Sequence, residues 1–398
     1  MRVGTPGFIP ARLVEARAAR RIKTQKQLAD MLGTVASTVS RWEKGEFSPD
    51  ADALSALSEV LKVRREYFLR PFPTSVRPSF HRQLSTTLAA DLRYQESQMS
   101  WLQELSSTLN HYVDFPPLDI PDVLQGASWK QLRDDDIEQI AIDLRSHWRL
   151  GNGPCVDIVQ LLERVGIIVG TIEMGTSKLD GLCSWSAIDD RPHILLATDK
   201  MSFPRRQMDG AHELAHVILH REVTPEEFKD NIKEIEMQAF RLASAFLMPS
   251  NSYPYELKRA SLANFLLLKE RWRVSIKAQI HRVAGLGLIP REYMTDLYKL
   301  YSARGWTKAE PLDSEWDLTN PTLMKDALNL IVESGTRTKQ DLLSVEFVIS
   351  DNDLENLCST EEKWFSQKEG QLIQLKIKAP ERKNSTSTVG EIIPFKRN

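Results

Sequence analysis

The six residues Ala211-His212-Glu213-Leu214-Ala215-His216 constrain this chain more than any other stretch. They spell H-E-x-x-H inside an apolar, helix-period run from Met208 to His220. Residues four apart on a helix share a face, with Cβ atoms roughly 5–6 Å apart. His212 and His216 can therefore present two imidazole nitrogens to one Zn2+ ion. Glu213 then lies where it can reach a water on the open coordination position and act as general base. The plain alternative is a surface helix carrying two histidines and an ordinary acid, so a third ligand decides between the two.

The extension H-E-x-x-H-x-x-G-x-x-H is absent, because Arg221 and Glu222 stand where its last histidine would fall. His220 lies one turn past His216, but three ligands along one straight helix cannot converge on a tetrahedral centre. His220 is therefore read as a helix-end residue. The segment Ile232 to Leu247 carries a second apolar stripe in Ala239, Phe240, Ala243, Phe246 and Leu247. Counting back from Ala239 and Phe240 by three and four lands on Glu236, on the buried side. Glu234, Gln238 and Arg241 fall on the polar side. A carboxylate facing a core is costly unless it is paired or bound to a metal. Glu236 is thus the expected third ligand, and pairing with a core histidine or arginine is the competing explanation.

The run His212–His220 resembles the ImmA/IrrE family of metallopeptidases, as do Glu236-Met237-Gln238-Ala239 and Phe246-Leu247-Met248-Pro249. So does Asp180-Gly181-Leu182-Cys183-Ser184-Trp185, followed by His193-Ile194-Leu195-Leu196. The resemblance spans roughly residues 140–310. By position, the family's metal glutamate falls on Glu236. Two departures stand out: Ala215, where many relatives carry glycine, and Met208-Asp209-Gly210, which lacks the usual aromatic and leaves the helix start before His212 open. The segment Trp272 to Arg282 is also similar to one in the family. His281 and Arg282 are candidate cleft residues able to steady an oxyanion, with a solvated face or packing as the ordinary alternative.

Residues 1–70 carry 13 Lys+Arg against 8 Asp+Glu. This unit is therefore +5 while the remainder of a chain of net charge −2 is −7. The asymmetry points to an anionic partner. Pro10 to Arg20 reads as a first helix, and Thr24-Gln25-Lys26-Gln27 as a capping box. A second helix then turns at Gly33, a third runs Val35 to Glu43, and Ala53, Leu54, Leu57, Val60 and Leu61 supply a fourth. Helix, glycine turn, helix is the geometry whose second helix enters the DNA major groove. Gln25 to Ala29, Gly33 and Thr38 to Gly45 closely resemble the XRE class of helix-turn-helix domains over residues 10–70. The resemblance implies that Val39 and Trp42 face the core, while Gln25, Ser37, Thr38, Ser40 and Arg41 face double-stranded operator DNA. Ala36 stands where relatives often have a base-reading glutamine, so the sequence read is open. A helical domain used for protein contacts or dimerisation is the competing reading.

Pro71, Pro73 and Pro78 mark a linker, and helical spacing of leucines over 84–112 predicts a connecting helix or dimerisation arm, or else the outer wall of the catalytic domain. Two further helices flank 151–154. Short strands are expected at Ile167 to Ile172, Leu182 to Ser186 and His193 to Ala197, with an edge able to hold an extended peptide substrate. His193 reads as a strand-end residue and Cys183 as a packed one. The three cysteines Cys155, Cys183 and Cys358 form no C-x-x-C pair, and no signal segment or apolar run of membrane-spanning length is present, which favours a reducing, cytoplasmic setting and no membrane.

The expected fold is mainly α with a small β-sheet (α+β). It comprises an N-terminal four- to five-helix helix-turn-helix domain at 1–70, a linker and helical arm at 71–135, and a zincin-like metallopeptidase domain at 136–312. A small separate helical unit at 320–378 and a polar tail at 380–398 complete it. The function implied by both resemblances is a DNA-binding regulator with a Zn2+-dependent endopeptidase that cleaves a transcriptional repressor in a stress or mobile-element response, working as a homodimer. The alternative is a transcription factor whose peptidase-like domain is a sensor or scaffold. A third reading is self-cleavage that frees the first 70 or so residues.

Overall fold

The computed structural model describes residues 4–72, 80–81, 89–175, 180–199 and 202–366. The tail at 380–398, the end of the 320–378 unit and the start of the 84–112 helix lie outside the described residues. Among those described, no helix is long and apolar enough to cross a membrane.

Four helices open the chain: α1 (Pro10–Ala19), α2 (Gln25–Met31), α3 (Ala36–Glu43) and α4 (Ala51–Leu61), with a short 3-10 turn at Arg65–Leu69. The expected capping box is present. Thr24 Oγ1 accepts from the Gln27 N–H and Gln27 Oε1 accepts from the Thr24 N–H, both at 3.1 Å. Gly33 holds φ at +65° between α2 and α3, a left-handed backbone that costs glycine least. Val39 and Trp42 are buried.

Next come β1 (Phe80–His81), α5 (Ala89–Leu109), α6 (Asp134–His147) and α7 (Ile158–Arg164). The remaining strands are β2 (Ile168–Ile172), β3 (Gly181–Trp185) and β4 (Pro192–Ala197). They form one mixed sheet in the order β1-β3-β4-β2, with β2 parallel to β4 and the other pairs antiparallel. Every residue of β2, β3 and β4 is buried, which is why they read as apolar runs and not as alternating ones. Val169, Cys183, Trp185, Ile194 and Leu196 face one core; Ile168, Ile172, Leu182, Leu195 and Ala197 face another.

The first core is closed by α6 and α7 together with α8 (Phe203–Leu219), α9 (Pro225–Leu247), α10 (Tyr253–Glu256), α11 (Leu262–Trp272), α12 (Ile276–Gly285) and α13 (Arg291–Ala303). The second is closed by α1 to α5 together with α14 (Leu323–Glu333), by Leu342 just after the short α15 (Lys339–Asp341), and by α16 (Asp351–Leu357). The sheet is therefore a middle layer between two helical layers.

This packing corrects two expectations. Residues 323–365 keep no core of their own: Leu328, Ile331, Phe347, Leu354 and Leu357 share one with the N-terminal helices and the sheet. Helix α5 is also no projecting arm. Its apolar stripe of Met99, Leu102, Leu105 and Leu109 is buried inside the same core, so that stripe is spent within the chain. Both regions look amphipathic in sequence, and an amphipathic pattern does not say which surface covers it.

Charged clamps join the N-terminal helices to this layer. Buried Arg12 pairs with Glu15 at 2.9 Å and with Glu104 of α5 at 2.5 Å. Arg20 pairs with Asp353, with N···O distances of 2.5 and 2.7 Å. The backbone continues the join through a bridge between Val63 and Ile349 and an Arg64 N–H bond to the Val348 carbonyl at 2.7 Å.

Candidate metal centre

Helix α8 begins at Phe203, earlier than the motif alone suggests, with Pro204 in its first turn, a position where the missing N–H costs nothing. A capping box of Thr224 and Glu227 starts α9, which is kinked at Asn231 (φ −121°, ψ 20°). There the Asn231 side chain donates to the Glu227 carbonyl at 2.8 Å, a local bond that competes with the helix ladder. Beyond the kink α9 runs against α8 and carries Glu236 to the two histidines.

His212 Nε2 and His216 Nε2 lie 3.1 Å apart. Glu236 Oε2 lies 3.3 Å from His212 Nε2, and Glu236 Oε1 lies 3.4 Å from His216 Nε2. Ligands about 2.0–2.1 Å from a tetrahedral zinc are separated by roughly 3.3 Å, so these spacings suit one ion. Neither Glu236 oxygen has a hydrogen-bond partner, nor does Glu213 Oε2, although buried carboxylate oxygens are ordinarily satisfied. Two imidazoles and a carboxylate with open lone pairs fit a divalent cation. Burial opposes charge on Glu236, yet the imidazoles beside it hold its carboxyl well below the usual carboxylate range. Glu234 is exposed, as the stripe on α9 predicts.

Glu213 is buried against β3. A Cβ on Gly181 would sit 2.9 Å from Glu213 Oε1, so glycine is what lets the strand approach this carboxylate. Burial, and then the negative charge of Glu236, push Glu213 well above the ordinary carboxylate value. A bound dication acts in the opposite direction. The buried Cys183 thiol is pushed up by burial and by Glu213, and such a thiol is a packed group and no nucleophile.

Behind the histidines runs a chain that sequence reasoning missed. His216 Nδ1 meets His220 Nδ1 at 3.0 Å, His220 Nε2 meets Gln238 Oε1 at 3.1 Å, and Gln238 Nε2 donates to the Trp129 carbonyl at 2.9 Å. The carbonyl can only accept, so the amide nitrogen faces it and the amide oxygen faces His220. His220 then donates from Nε2 and accepts at Nδ1, and His216 donates from Nδ1. That leaves His216 Nε2 with a lone pair directed at Glu236 and His212. Burial also holds His220 well below the usual histidine range, in the neutral form this chain needs. Gln238, assigned to the polar face of its helix in sequence, is buried. The stripe is wider than the apolar residues alone indicate, and nothing in the sequence alone sets this glutamine opposite the helix-end histidine.

The other named residues are placed as follows. His193 is fully buried on the α5 side of the sheet, bonded to Ser106 Oγ at 2.6 Å and to the Arg191 carbonyl at 3.0 Å, and burial pushes it down to about 4. Arg282 is buried and committed to Glu138, at 2.5 and 2.7 Å, and to the Met248 carbonyl at 2.8 Å, while His281 packs edge-on against Phe240. The outer edge of β3 is paired at Leu182 and Cys183 by this chain's own β1, so a peptide binding at those positions has to displace it.

On the DNA-binding unit Ser37 and Arg41 are exposed, and Gln25, Thr38 and Ser40 half-exposed. Gln25 donates to Glu43 at 2.7 Å, and Arg17 holds that carboxylate at 2.6 and 3.1 Å, bracing α2 against α3. Arg41 pairs with Glu46 at 3.1 Å and lies over the Phe47 ring.

Comparison with curated proteins found no match. Comparison with known families matches residues 13–68 to the Helix-turn-helix family and residues 162–284 to the peptidase family of IrrE N-terminal-like domains. The second match contains His212, Glu213, His216, Glu236, Gly181 and the whole hydrogen-bonded chain behind His216 except Trp129. The chain therefore joins an XRE-type helix-turn-helix domain at its N-terminus to an IrrE N-terminal-like metallopeptidase domain.

Proposed function

We propose that this chain is a DNA-binding regulator whose second domain is a zinc-dependent endopeptidase acting on a protein, and that the substrate class is a transcriptional repressor. The observation that carries this reading is the convergence of His212, His216 and Glu236 within 3.1–3.4 Å beside a buried Glu213. When bound, zinc supplies a Lewis-acid position that makes water a nucleophile near neutral pH. His212, His216 and Glu236 would hold the ion. Glu213 takes the proton of the attacking water at its carboxylate and returns it to the leaving amine. Gln238 and His220 keep His216 in the tautomer that offers Nε2. The repressor as substrate and action as a homodimer rest on the family resemblances, and the DNA partner rests on the helix-turn-helix match.

Elemental analysis of chain purified without chelator tests the metal. About one zinc per chain is expected in the unsubstituted protein and in Glu234→Ala, and loss in Glu236→Ala. Glu213→Gln should keep zinc and lose cleavage by about 10²–10⁴-fold; wild-type cleavage by that variant would falsify the mechanism.

A second reading is favoured by a specific observation. The sheet edge beside Glu213 is covered by the chain's own β1, and the DNA-binding helices share a core with that sheet. In this reading the domain is a sensor or scaffold. DNA binding unaffected by Glu213→Gln, with no fragment of any repressor produced, supports it. Self-cleavage is a third outcome, seen as a time-dependent fragment missing in Glu213→Gln. The Arg12 and Arg20 clamps imply that a cut after residue 72 leaves the first unit docked.

A further inference from the structure

Beside the metal residues lies a cavity of about 540 Å³ whose walls are α9, α12 and α13, within the roughly 300–1,000 Å³ typical of ligand sites. Its lining includes His212 and Glu236, the apolar Met237, Phe240 and Met294, and the cations Lys233 and Arg291. Its charge is one-sided. Glu236 is the only acid in its lining, against three arginines, one lysine and His281. Two of the arginines are already committed, Arg282 to Glu138 and Arg241 to Asp134 at 2.5 Å. Lys233 and Arg291 are exposed and have no ion pair among the described residues. The apolar lining includes Met237, a large hydrophobic group that is 63 % exposed.

From this arrangement we infer that the cavity is a substrate subsite for an acidic side chain of the bound peptide, with Lys233 and Arg291 as the specificity-determining residues. The inference rests on the metallopeptidase reading. A side chain entering here lays its methylenes on Met237 and Phe240 and brings its carboxylate toward Lys233 and Arg291, which have no carboxylate partner among the described residues. A basic side chain meets like charge in the same cavity. Discrimination between substrates then comes from repulsion as well as attraction. Because both cations are solvent-exposed, the preference is screened by salt.

The test uses the full chain carrying Glu213→Gln, zinc-loaded, so that peptides bind without being cut. Rhodamine-labelled decapeptides of otherwise neutral sequence, each with a single Glu, Gln or Lys at one position, are titrated by fluorescence anisotropy. At one or two adjacent positions Glu should bind about 10-fold tighter than Gln, which is about 1.4 kcal/mol, and Lys should bind weakest. In the Lys233→Glu, Arg291→Glu double variant the order should invert, with zinc content unchanged. Equal affinities at every position, an order unaffected by the charge reversal, or no peptide binding by zinc-loaded protein each overturn the acidic subsite while leaving the metal centre intact. Absence of stoichiometric zinc from the unsubstituted chain instead overturns the metallopeptidase reading, and this subsite with it.

Discussion

Both helical layers close buried charge into ion pairs, Arg282 with Glu138 and Lys269 with Glu310 on the metal side, but they differ at one point. Among the described residues, buried carboxylate oxygens without hydrogen-bond partners occur on the metal side alone, on Glu213 and on Glu236 beside its two imidazoles. On the DNA-binding side, charge is distributed into closed pairs, Arg12 with Glu15 and Glu104, and Arg20 with Asp353. A buried charge left open calls for a ligand, whereas a buried charge that is closed serves geometry. Structural and functional polar residues can thus be told apart within one protein by whether their partners are already present.

The largest effect is expected from breaking a closed pair. Arg12→Ala leaves Glu15 and Glu104 facing each other in a core, and removal of one partner of a buried pair costs about 3–5 kcal/mol. Urea unfolding should report a loss of that size with native zinc content retained. A loss under about 1 kcal/mol, the scale of an exposed pair, would place Arg12 among surface charges and erase the contrast.

On the open side, Gln238→Leu should leave the fold in place but weaken zinc binding by about 10–100-fold, the scale for groups that orient a metal ligand. Competition with a chromophoric chelator measures it. Unchanged zinc affinity would mean that the chain through His220 does not orient His216.

Glu163 links the layers. It lies in α7 and accepts the Thr322 and Leu323 N–H groups at 3.0 and 2.9 Å, at the start of α14. Burial outweighs these bonds and pushes its carboxyl up to about 7 from an ordinary 4.5. The folded protein therefore holds this proton more tightly than the unfolded chain does. Its contribution is fully present below pH 4.5 and is lost as the pH rises toward about 7. Unfolding free energies compared at about pH 5 and about pH 8 should differ less in Glu163→Gln than in the unsubstituted chain, by at most about 3 kcal/mol. An identical pH profile would show that Glu163 is already ionised at pH 5.

The smallest effect is expected at the DNA surface. Arg41→Ala should weaken binding to any duplex about equally and lower the slope of log K against log salt by about one. A sequence-selective loss would instead make Arg41 a base-reading residue.

Much of the candidate metal centre was legible because its rules are local. His212 and His216 are set by helix period, and Glu236 by the stripe on α9 three and four residues later. The Thr24 capping box and the Gly33 turn are equally local, and they place the helix-turn-helix. Gln238 was misplaced because a lone glutamine among polar neighbours carries no mark of burial; its partner Trp129 lies 109 residues away in sequence. Arg282 was offered with His281 as a candidate cleft residue because the Trp272–Arg282 segment is similar to one in the family, and the commitment of its guanidinium to Glu138, across 144 residues, is invisible in the chain.

By itself the sequence determined the chemistry at one point and the class of surface at another, since both depend on spacings within a turn or two of helix. Only the tertiary structure decided that 323–365 and α5 complete the DNA-binding layer, that β1 covers the edge beside Glu213, and that a cationic cavity adjoins the metal residues. The physical reason is common to all three. An amphipathic face, an unpaired strand edge and an uncommitted charge each state a need, and which partner meets it is settled by contacts between residues far apart in the chain.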